Sequence, residues 1–219
     1  MERKIITTGD GSKTIQITDW DEQYHSKHGA VQEAYHVFIK HGLALFSGKD
    51  ISILEIGFGT GLNALITYIE SKKNGGQLRY TGVEAYPVSE AEMAQLNYIG
   101  ELDAETYEND FKRMHNSEWG CDVRISNDFT LRKEQRFFAD ITDENAYDLV
   151  YFDAFGARVQ PELWTEDIFS IMYKAMRKDG VLVTYAAKGS VRRAMQAVGF
   201  EVERLPGPPG KREMLRARK

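Results

Sequence analysis

The sequence predicts an α/β fold with a Rossmann-like, mostly parallel sheet, helices on both faces and an antiparallel edge at the C-terminus. Three observations predict it. Strand-like and helix-like segments alternate from residue 51 to residue 198, the pattern of a parallel sheet built from crossover units. A glycine-rich turn, Gly57-Phe58-Gly59-Thr60-Gly61, directly follows the first strand of that series. The chain then closes with strand, Pro/Gly loop and strand, which adds an antiparallel pair to the edge. With 219 residues, 42% hydrophobic and 28% charged, the chain can bury roughly 70% of its unfolded surface without staples. Its one cysteine, Cys121, excludes an internal disulfide and a cysteine-rich zinc site.

In chain order, Ile5, Ile6, Ile15 and Ile17 around Gly9-Asp10-Gly11 read as a β-hairpin. Tyr24 to Phe46 carries apolar residues at helical spacing. Together these form an N-terminal extension over residues 1–48, a hairpin and a helix suited to a lid, ahead of a main domain over 49–219. Ile51–Ile56 is a short buried strand, and a helix follows from Leu62 to Lys72. Leu78–Val83 is the second strand, closed by Glu84. Ser89 to Ile99 reads as a helix, with Ser89 and Glu92 spaced as a capping box. The stretch 101–120 is polar with a weak helical signal. Val123–Ile125 and Phe129–Phe138 are strand material leading to Asp140. Tyr147–Phe152 is a strand ending at Asp153. A helix is expected from Pro161 to Met176, a turn at Lys178-Asp179-Gly180, a strand over Val181–Tyr185 and a helix over Ser190–Ala197. Phe200–Leu205 and Arg212–Ala217 close the chain as strands.

In open parallel sheets the ligand sits beyond the carboxyl ends of the strands. Glu55 to Gly61, Glu84, Asp140 and Asp153 are therefore expected around one crevice. The turn reads G-x-G-x-G followed by Leu62, whereas a dinucleotide fingerprint wants Gly or Ala at that place. No Gly-Lys-Ser/Thr follows, so a triphosphate P-loop is excluded. Glu84 can accept hydrogen bonds from both hydroxyls of a ribose, or it is a surface carboxylate. Asp140 suits an adenine amino group, and equally the N-cap of a following helix. Glu55, charged within Ile53-Leu54-Glu55-Ile56, needs a partner: a ligand ammonium, or a structural arginine or amide. Taken together these positions fit a ligand with adenosine at one end and an amino acid at the other, which describes S-adenosylmethionine better than NAD. Asp153, across the crevice, can accept a proton from an attacking amine, or it shapes the loop. Phe155 can stack on a base or exclude solvent. The five histidines show no zinc-binding spacing, no metal is assigned, and His25 is expected at the surface.

The formal net charge of −5 argues against a bulk nucleic-acid binder, yet from Lys174 onward 12 Lys/Arg stand against 4 Asp/Glu. A basic end on an acidic body can steer a polyanion to one face, or it is solvated surface. The first residues lack the apolar core of a secretory signal, and no apolar run approaches membrane-spanning length. A cytoplasmic protein is expected.

These residues resemble a known family, the methyltransferase-domain type of the tRNA 5-methylaminomethyl-2-thiouridine biosynthesis protein MnmC, including its stand-alone, MnmD-like form. The resemblance rests on Tyr24-His25-Ser26, Gly29-Ala30, Glu33 and His36-Val37-Phe38. It continues through Leu54 to Asn63, Asp153-Ala154-Phe155, Pro161-Glu162-Leu163-Trp164-Thr165, Thr184 to Gly189, and Gly207-Pro208-Pro209-Gly210-Lys211-Arg212-Glu213-Met214. It implies a class I S-adenosylmethionine-dependent methyltransferase with a seven-stranded sheet. The implied reaction methylates the aminomethyl group of 5-aminomethyl-(2-thio)uridine at the tRNA wobble position. A small-molecule amine methyltransferase or aminopropyltransferase of the same fold is the rival reading. The resemblance implies cofactor contacts for Glu55, Gly57, Gly59, Gly61, Glu84 and Asp140, and a substrate-facing role for Asp153 and Phe155. It also implies RNA contacts for Lys188, Arg192, Arg193, Lys211 and Arg212. The chain departs from the family at Ala157 and Gln160, where Pro and Asn are usual. Many relatives carry a flavin-dependent oxidoreductase domain that prepares the amine; 219 residues leave no room for it, so an upstream enzyme is expected to supply the aminomethyl uridine.

Overall fold

The computed structural model describes residues 2–219. The chain opens with three short antiparallel strands, β1 (Arg3–Thr7), β2 (Lys13–Ile17) and β3 (Glu22–Gln23). Helix α1 (Ala30–Ala34) runs into a π-helical segment, Tyr35–Lys40. Next come β4 (Ile51–Ile56), α2 (Leu62–Asn74), β5 (Leu78–Val83), α3 (Glu90–Met93), α4 (Tyr98–Glu101) and α5 (Glu108–Asn116). They lead to β6 (Asp122–Arg124), β7 (Phe129–Glu134), β8 (Tyr147–Phe152), α6 (Glu166–Ala175) and β9 (Met176–Thr184). Helix α7 (Gly189–Ala197) and strands β10 (Glu201–Pro206) and β11 (Glu213–Arg218) complete the chain.

Eight strands form the main sheet in the order β10-β11-β9-β8-β4-β5-β7-β6. Strands β9, β8, β4, β5 and β7 run parallel, while β11 and β10 add the antiparallel edge. The class I architecture thus holds, with an eighth strand, β6, antiparallel to β7 at the far edge. The sheet is covered on both faces. One apolar cluster sets Phe38, Leu62, Leu65 and Ile66 against Ile53, Tyr80 and Tyr151. The other sets Phe169, Met172 and Met195 against Leu54, Val150 and Leu182. The N-terminal helix therefore belongs to the main core, since Ala34, Val37 and Phe38 are buried in it.

Several expected elements moved. The helix expected from Tyr24 starts only at Ala30, because the preceding segment is held extended: Tyr24 N–H donates to Ile15 O at 2.9 Å and Ser26 N–H to Glu33 Oε1 at 3.1 Å. The Ser89/Glu92 capping box is present, but its helix stops at Met93. Asn97 breaks it, since its side chain accepts from Lys13 N–H at 2.7 Å and donates to Gly11 O at 3.0 Å, tying this segment to the hairpin. Strand β7 ends at Glu134 instead of running to Asp140, which lies in a single 3₁₀ turn, Phe138–Asp140, with no helix after it to cap. The expected turn at 178–180 is a bulge inside β9: pairing jumps from Tyr147↔Met176 to Leu149↔Val181, and Asp179 adopts a left-handed φ of 64°.

Gly82, on β5, lies directly beneath Phe58 of the glycine-rich turn. A Cβ there would stand 2.3 Å from the Phe58 ring, and Phe58 is itself buried. Gly82→Ala should therefore cost about 1–3 kcal/mol through overpacking, read as a Tm lowered by roughly 2–4 °C per kcal/mol. A melting curve superposable on that of the unsubstituted protein would show that Phe58 moves aside freely.

Candidate active site

Sheet register builds the site. Ile56 pairs with Val83 and Phe152, and Val83 pairs with Glu134. The carboxyl ends of four adjacent strands are thus level, and Gly57, Glu84 and Asp153 emerge side by side. Gly57 N–H reaches back to Val83 O and Asp153 N–H to Ile56 O, so each loop is anchored on its neighbour's strand. Above them lies a crevice of about 700 Å³.

The glycine-rich turn forms its floor. Gly57 has a φ of 93°, and a Cβ there would meet the Asp153 carbonyl at 2.9 Å; only glycine permits both the backbone and the contact. Gly59 N–H donates to Glu84 Oε2 at 3.1 Å, and Tyr86 N–H donates to Glu84 Oε1 at 2.9 Å. Glu84 is thereby fixed at the crevice edge with lone pairs to spare. Gly61 does not line the crevice. It starts α2 with a φ of 71°, and a Cβ there would strike His115.

Beneath the crevice two carboxyls share one amide. Asn63 Nδ2 donates to Glu55 Oε1 at 2.9 Å and to Asp153 Oδ2 at 2.8 Å. Glu55 is 1% exposed and lies behind Asn63 rather than in the crevice wall. Burial, above all, pushes both carboxyls well above the usual carboxylate range, and each raises the other or is raised by further acids nearby. Glu55 Oε2 and Asn63 Oδ1 are buried without a hydrogen-bond partner. Asp140 is exposed and stands outside the lining, which takes Phe137, Phe138 and Ala139 from its turn.

The opposite wall comes from the N-terminal extension read from the sequence as suited to a lid. Arg3, Ile17, Trp20, Tyr24 and His25 line the crevice. Arg3 clasps the far rim, donating to Tyr86 O at 3.1 Å and Glu92 Oε2 at 3.3 Å. His25, expected at the surface, is enclosed. Its Nδ1 lies 2.9 Å from Thr14 Oγ1, and burial lowers its pKa to about 4. Phe155 meets Trp20 and Tyr24 edge-on, at centroid distances of 5.8 and 4.9 Å. The loop bearing Asp153 is tied down on the other side: Tyr185 donates to Ala154 O at 2.8 Å and Trp164 Nε1 to Phe155 O at 2.7 Å.

The donor set fits an adenosyl amino acid. Acceptors at Glu84 suit ribose hydroxyls, and the carboxyl of Asp153 in the same crevice suits an ammonium group. Tyr86 and Phe137, 57% and 56% exposed at the crevice mouth, offer aromatic surface for a flat base. No cationic pair stands ready for a pyrophosphate, since Arg3 is engaged. Sheet order, level strand ends and this donor set define a class I S-adenosylmethionine-dependent methyltransferase architecture.

Comparison with known proteins agrees. Residues 130–219 match a family described as S-adenosyl-L-methionine-dependent methyltransferase. The chain is 30% identical to the "tRNA 5-methylaminomethyl-2-thiouridine biosynthesis bifunctional protein MnmC" of Azoarcus sp., over 94% of this chain and 34% of that protein. It is also 30% identical to the protein of the same description from Aromatoleum aromaticum, over 98% of this chain and 35% of that one. The chain thus spans about a third of the length of these relatives. Among solved structures, MnmC2 from Aquifex aeolicus superposes with a TM-score of 0.78 and 26% identity, over 99% of this chain and 69% of that one. Spermidine synthase from Thermotoga maritima, 11% identical with a TM-score of 0.56, shares the fold. These matches support membership in the MnmC methyltransferase-domain family.

The basic residues divide. Lys188, Arg193 and Arg212 are exposed and in no ion pair among the described residues. Arg192 is half-buried. Lys211 is half-buried and already engaged, 2.5 Å from Glu33 and over the Tyr185 ring.

The raised carboxyl of Asp153 fixes a sign for pH-dependent stability. Above its unfolded value of 3.8 the unfolded chain ionises first, so the folded state loses stability as pH rises through the folded value. Asp153→Asn removes that loss and keeps an oxygen to accept from Asn63. Thermal melts should show the variant at least as stable as the parent at pH 8, with the gap closing toward pH 4. A parent more stable at pH 8 would contradict the burial argument.

Proposed function

We propose that this chain methylates the exocyclic amine of 5-aminomethyl-(2-thio)uridine at the wobble position of tRNA, with S-adenosylmethionine as donor. The observation that carries the reading is the placement of Asp153: at the end of β8 it lines the same crevice as Gly57, Gly59 and Glu84 and the aromatic Phe155, Trp20 and Tyr24. The relatives' description names 5-methylaminomethyl-2-thiouridine, the nucleoside this step would lead to, and the exposed Lys188, Arg193 and Arg212 supply cations for phosphates.

When bound, S-adenosylmethionine supplies an electrophilic methyl group on a sulfonium. The chain's residues do the rest. Gly57 and Gly59 let a ligand approach the backbone, Glu84 takes the ribose hydroxyls, and the acids behind Asn63 favour the cationic amino-acid end. Asp140, beside the Phe137–Ala139 turn, is the remaining candidate for the adenine amino group. Asp153 accepts the proton of the substrate amine, which must be neutral to act as a nucleophile. Phe155, Trp20 and Tyr24 keep water away. In this reading the N-terminal segment, latched by Arg3, is a lid over the crevice, and an upstream enzyme supplies the aminomethyl uridine.

Nucleoside mass spectrometry of tRNA carrying the aminomethyl uridine, after incubation with protein and donor, should show a gain of one methyl on that nucleoside. Methylation of free amines or polyamines with none on tRNA would replace this reading with the small-molecule one. Lys188→Glu with Arg212→Glu should weaken tRNA binding and flatten its dependence on salt by roughly one unit of log–log slope for each phosphate no longer neutralised. An unaltered slope would return both side chains to plain solvated surface.

A further inference from the structure

We propose that a second cavity, across the loop that carries Asp153, is a subsite for the nucleotide adjoining the reactive uridine, with the base on its apolar floor and the phosphate on Lys188 and Arg212. The inference rests on the tRNA reading above and deepens it. The cavity has a volume of about 460 Å³, within the range of small-ligand sites. It is built by the loop after β8, the loop after β9 and the loop before β11. Strand β11 runs antiparallel to β9, which brings its first residues to the same end of the sheet. The loop after β8 serves both concavities. Asp153, Ala154 and Phe155 line the crevice, and Gly156 and Ala157 line the second cavity. Successive Cα atoms stand about 3.8 Å apart, so the two sites adjoin, as a reactive nucleotide and its neighbour on one strand require.

Two classes of side chain divide the lining. Ala157, Ala187 and Val191 supply a floor of small apolar groups, with no donor or acceptor to read a base edge. Such a floor takes the flat face of any base. Tyr185 forms a wall and is held from two sides: its hydroxyl donates to Ala154 O at 2.8 Å, and Lys211 Nζ, paired with Glu33, sits 3.9 Å from its ring centroid. A wall fixed in advance lowers the cost of binding. Lys188 and Arg212 also line the cavity, are exposed, and are in no ion pair among the described residues. Glu213, the acid of the lining, has Arg204 at 3.7 Å. Free cations beside an apolar floor match a nucleotide, which joins a flat ring to a phosphate. A polyamine, the rival substrate, would meet two like charges here.

Binding of anticodon stem-loop RNA carrying the aminomethyl uridine, read by fluorescence anisotropy, tests this without donor. For the parent, an abasic sugar at one of the two positions flanking the wobble uridine should weaken binding about fivefold, the loss of one ring face packed out of water. Ala187→Trp fills the cavity, and intact and abasic RNA should bind that variant alike. Should it fold poorly, Lys188→Gln with Arg212→Gln changes exposed side chains alone. A neutral methylphosphonate beside the same nucleotide should weaken binding to the parent about threefold, the scale of an exposed ion pair, and should cost the double variant nothing further. Parent binding indifferent to both abasic positions overturns the proposal. So does an abasic penalty undiminished in Ala187→Trp, or a methylphosphonate penalty undiminished in the double variant. RNA that fails to bind the parent overturns it together with the tRNA reading. A parent that shows the flanking-base dependence yet leaves the uridine unmethylated ends the methyl-transfer reading and supports the subsite, whereas tRNA methylation with no such dependence overturns the subsite alone.

Discussion

Asn63 places one amide between two buried carboxyls, and the rest of the site is arranged around that contact. Glu55 and Asp153 come from neighbouring strands whose register is fixed by Ile56↔Phe152, so their spacing is a property of the sheet. Asn63 sits one residue into α2, and α2 can start there only because Gly61 takes a left-handed turn. The glycine-rich segment therefore serves two ends. It opens space for a ligand at Gly57 and Gly59, and it delivers an amide under the loop of residues 153–155. Both N–H groups of Asn63 are spent on acids, which leaves its own oxygen and that of Glu55 as buried acceptors. Unsatisfied acceptors in a closed site are costly.

Charge is segregated on the same plan. The crevice gathers Glu84 and Asp153, with Glu55 behind Asn63 and Glu33 behind the loop, while Lys188, Arg193 and Arg212 stand outside. An acidic crevice favours a donor that carries a sulfonium and an ammonium. A basic exterior favours phosphates. A net acidic protein can thus meet a polyanion without presenting its acids to it. Lys211 belongs to the interior set, and its pairing with Glu33 shows why a count of basic residues along the C-terminal stretch overstates the surface charge.

What the sequence revealed and what it concealed follow from the range of the forces involved. The buried strands Ile51–Ile56, Leu78–Val83 and Tyr147–Phe152 were legible, because unbroken apolar runs bounded by turns leave little alternative. The level ends of those strands followed from the topology, and with them the meeting of Gly57, Glu84 and Asp153. Helix α5 was nearly invisible, since only Phe111 and Met114 face the core among polar neighbours. Lys133 alternates in phase with Phe129 and Leu131 and points inward, where its ammonium reaches the carbonyl of His115 near the end of α5. No local rule predicts a buried lysine there. The N-terminal extension was legible as suited to a lid, but its particular contacts were not. Trp20, Tyr24 and His25 acquire their place through residues far along the chain, as when Phe155 packs edge-on against Trp20 and Tyr24, or Arg158 donates to Trp20 O and Asp21 O.

The loop of residues 153–155 shows why such distant contacts matter. Its three successive residues are each restrained by a different part of the chain: Asp153 by Gly57 and Asn63, Ala154 by Tyr185, and Phe155 by Trp164. Trp164 belongs to the 3₁₀ turn Pro161–Trp164, and α6, expected from Pro161, starts only at Glu166. Tyr185, in turn, carries Lys211 on its face. A loop held at three points loses little further freedom when substrate arrives, so its carboxyl can be aligned in advance. The two ends of the chain, Arg3 to His25 and Gly207 to Glu213, thus close around a loop that lies between them in sequence, and the site is complete only when both have folded onto the sheet.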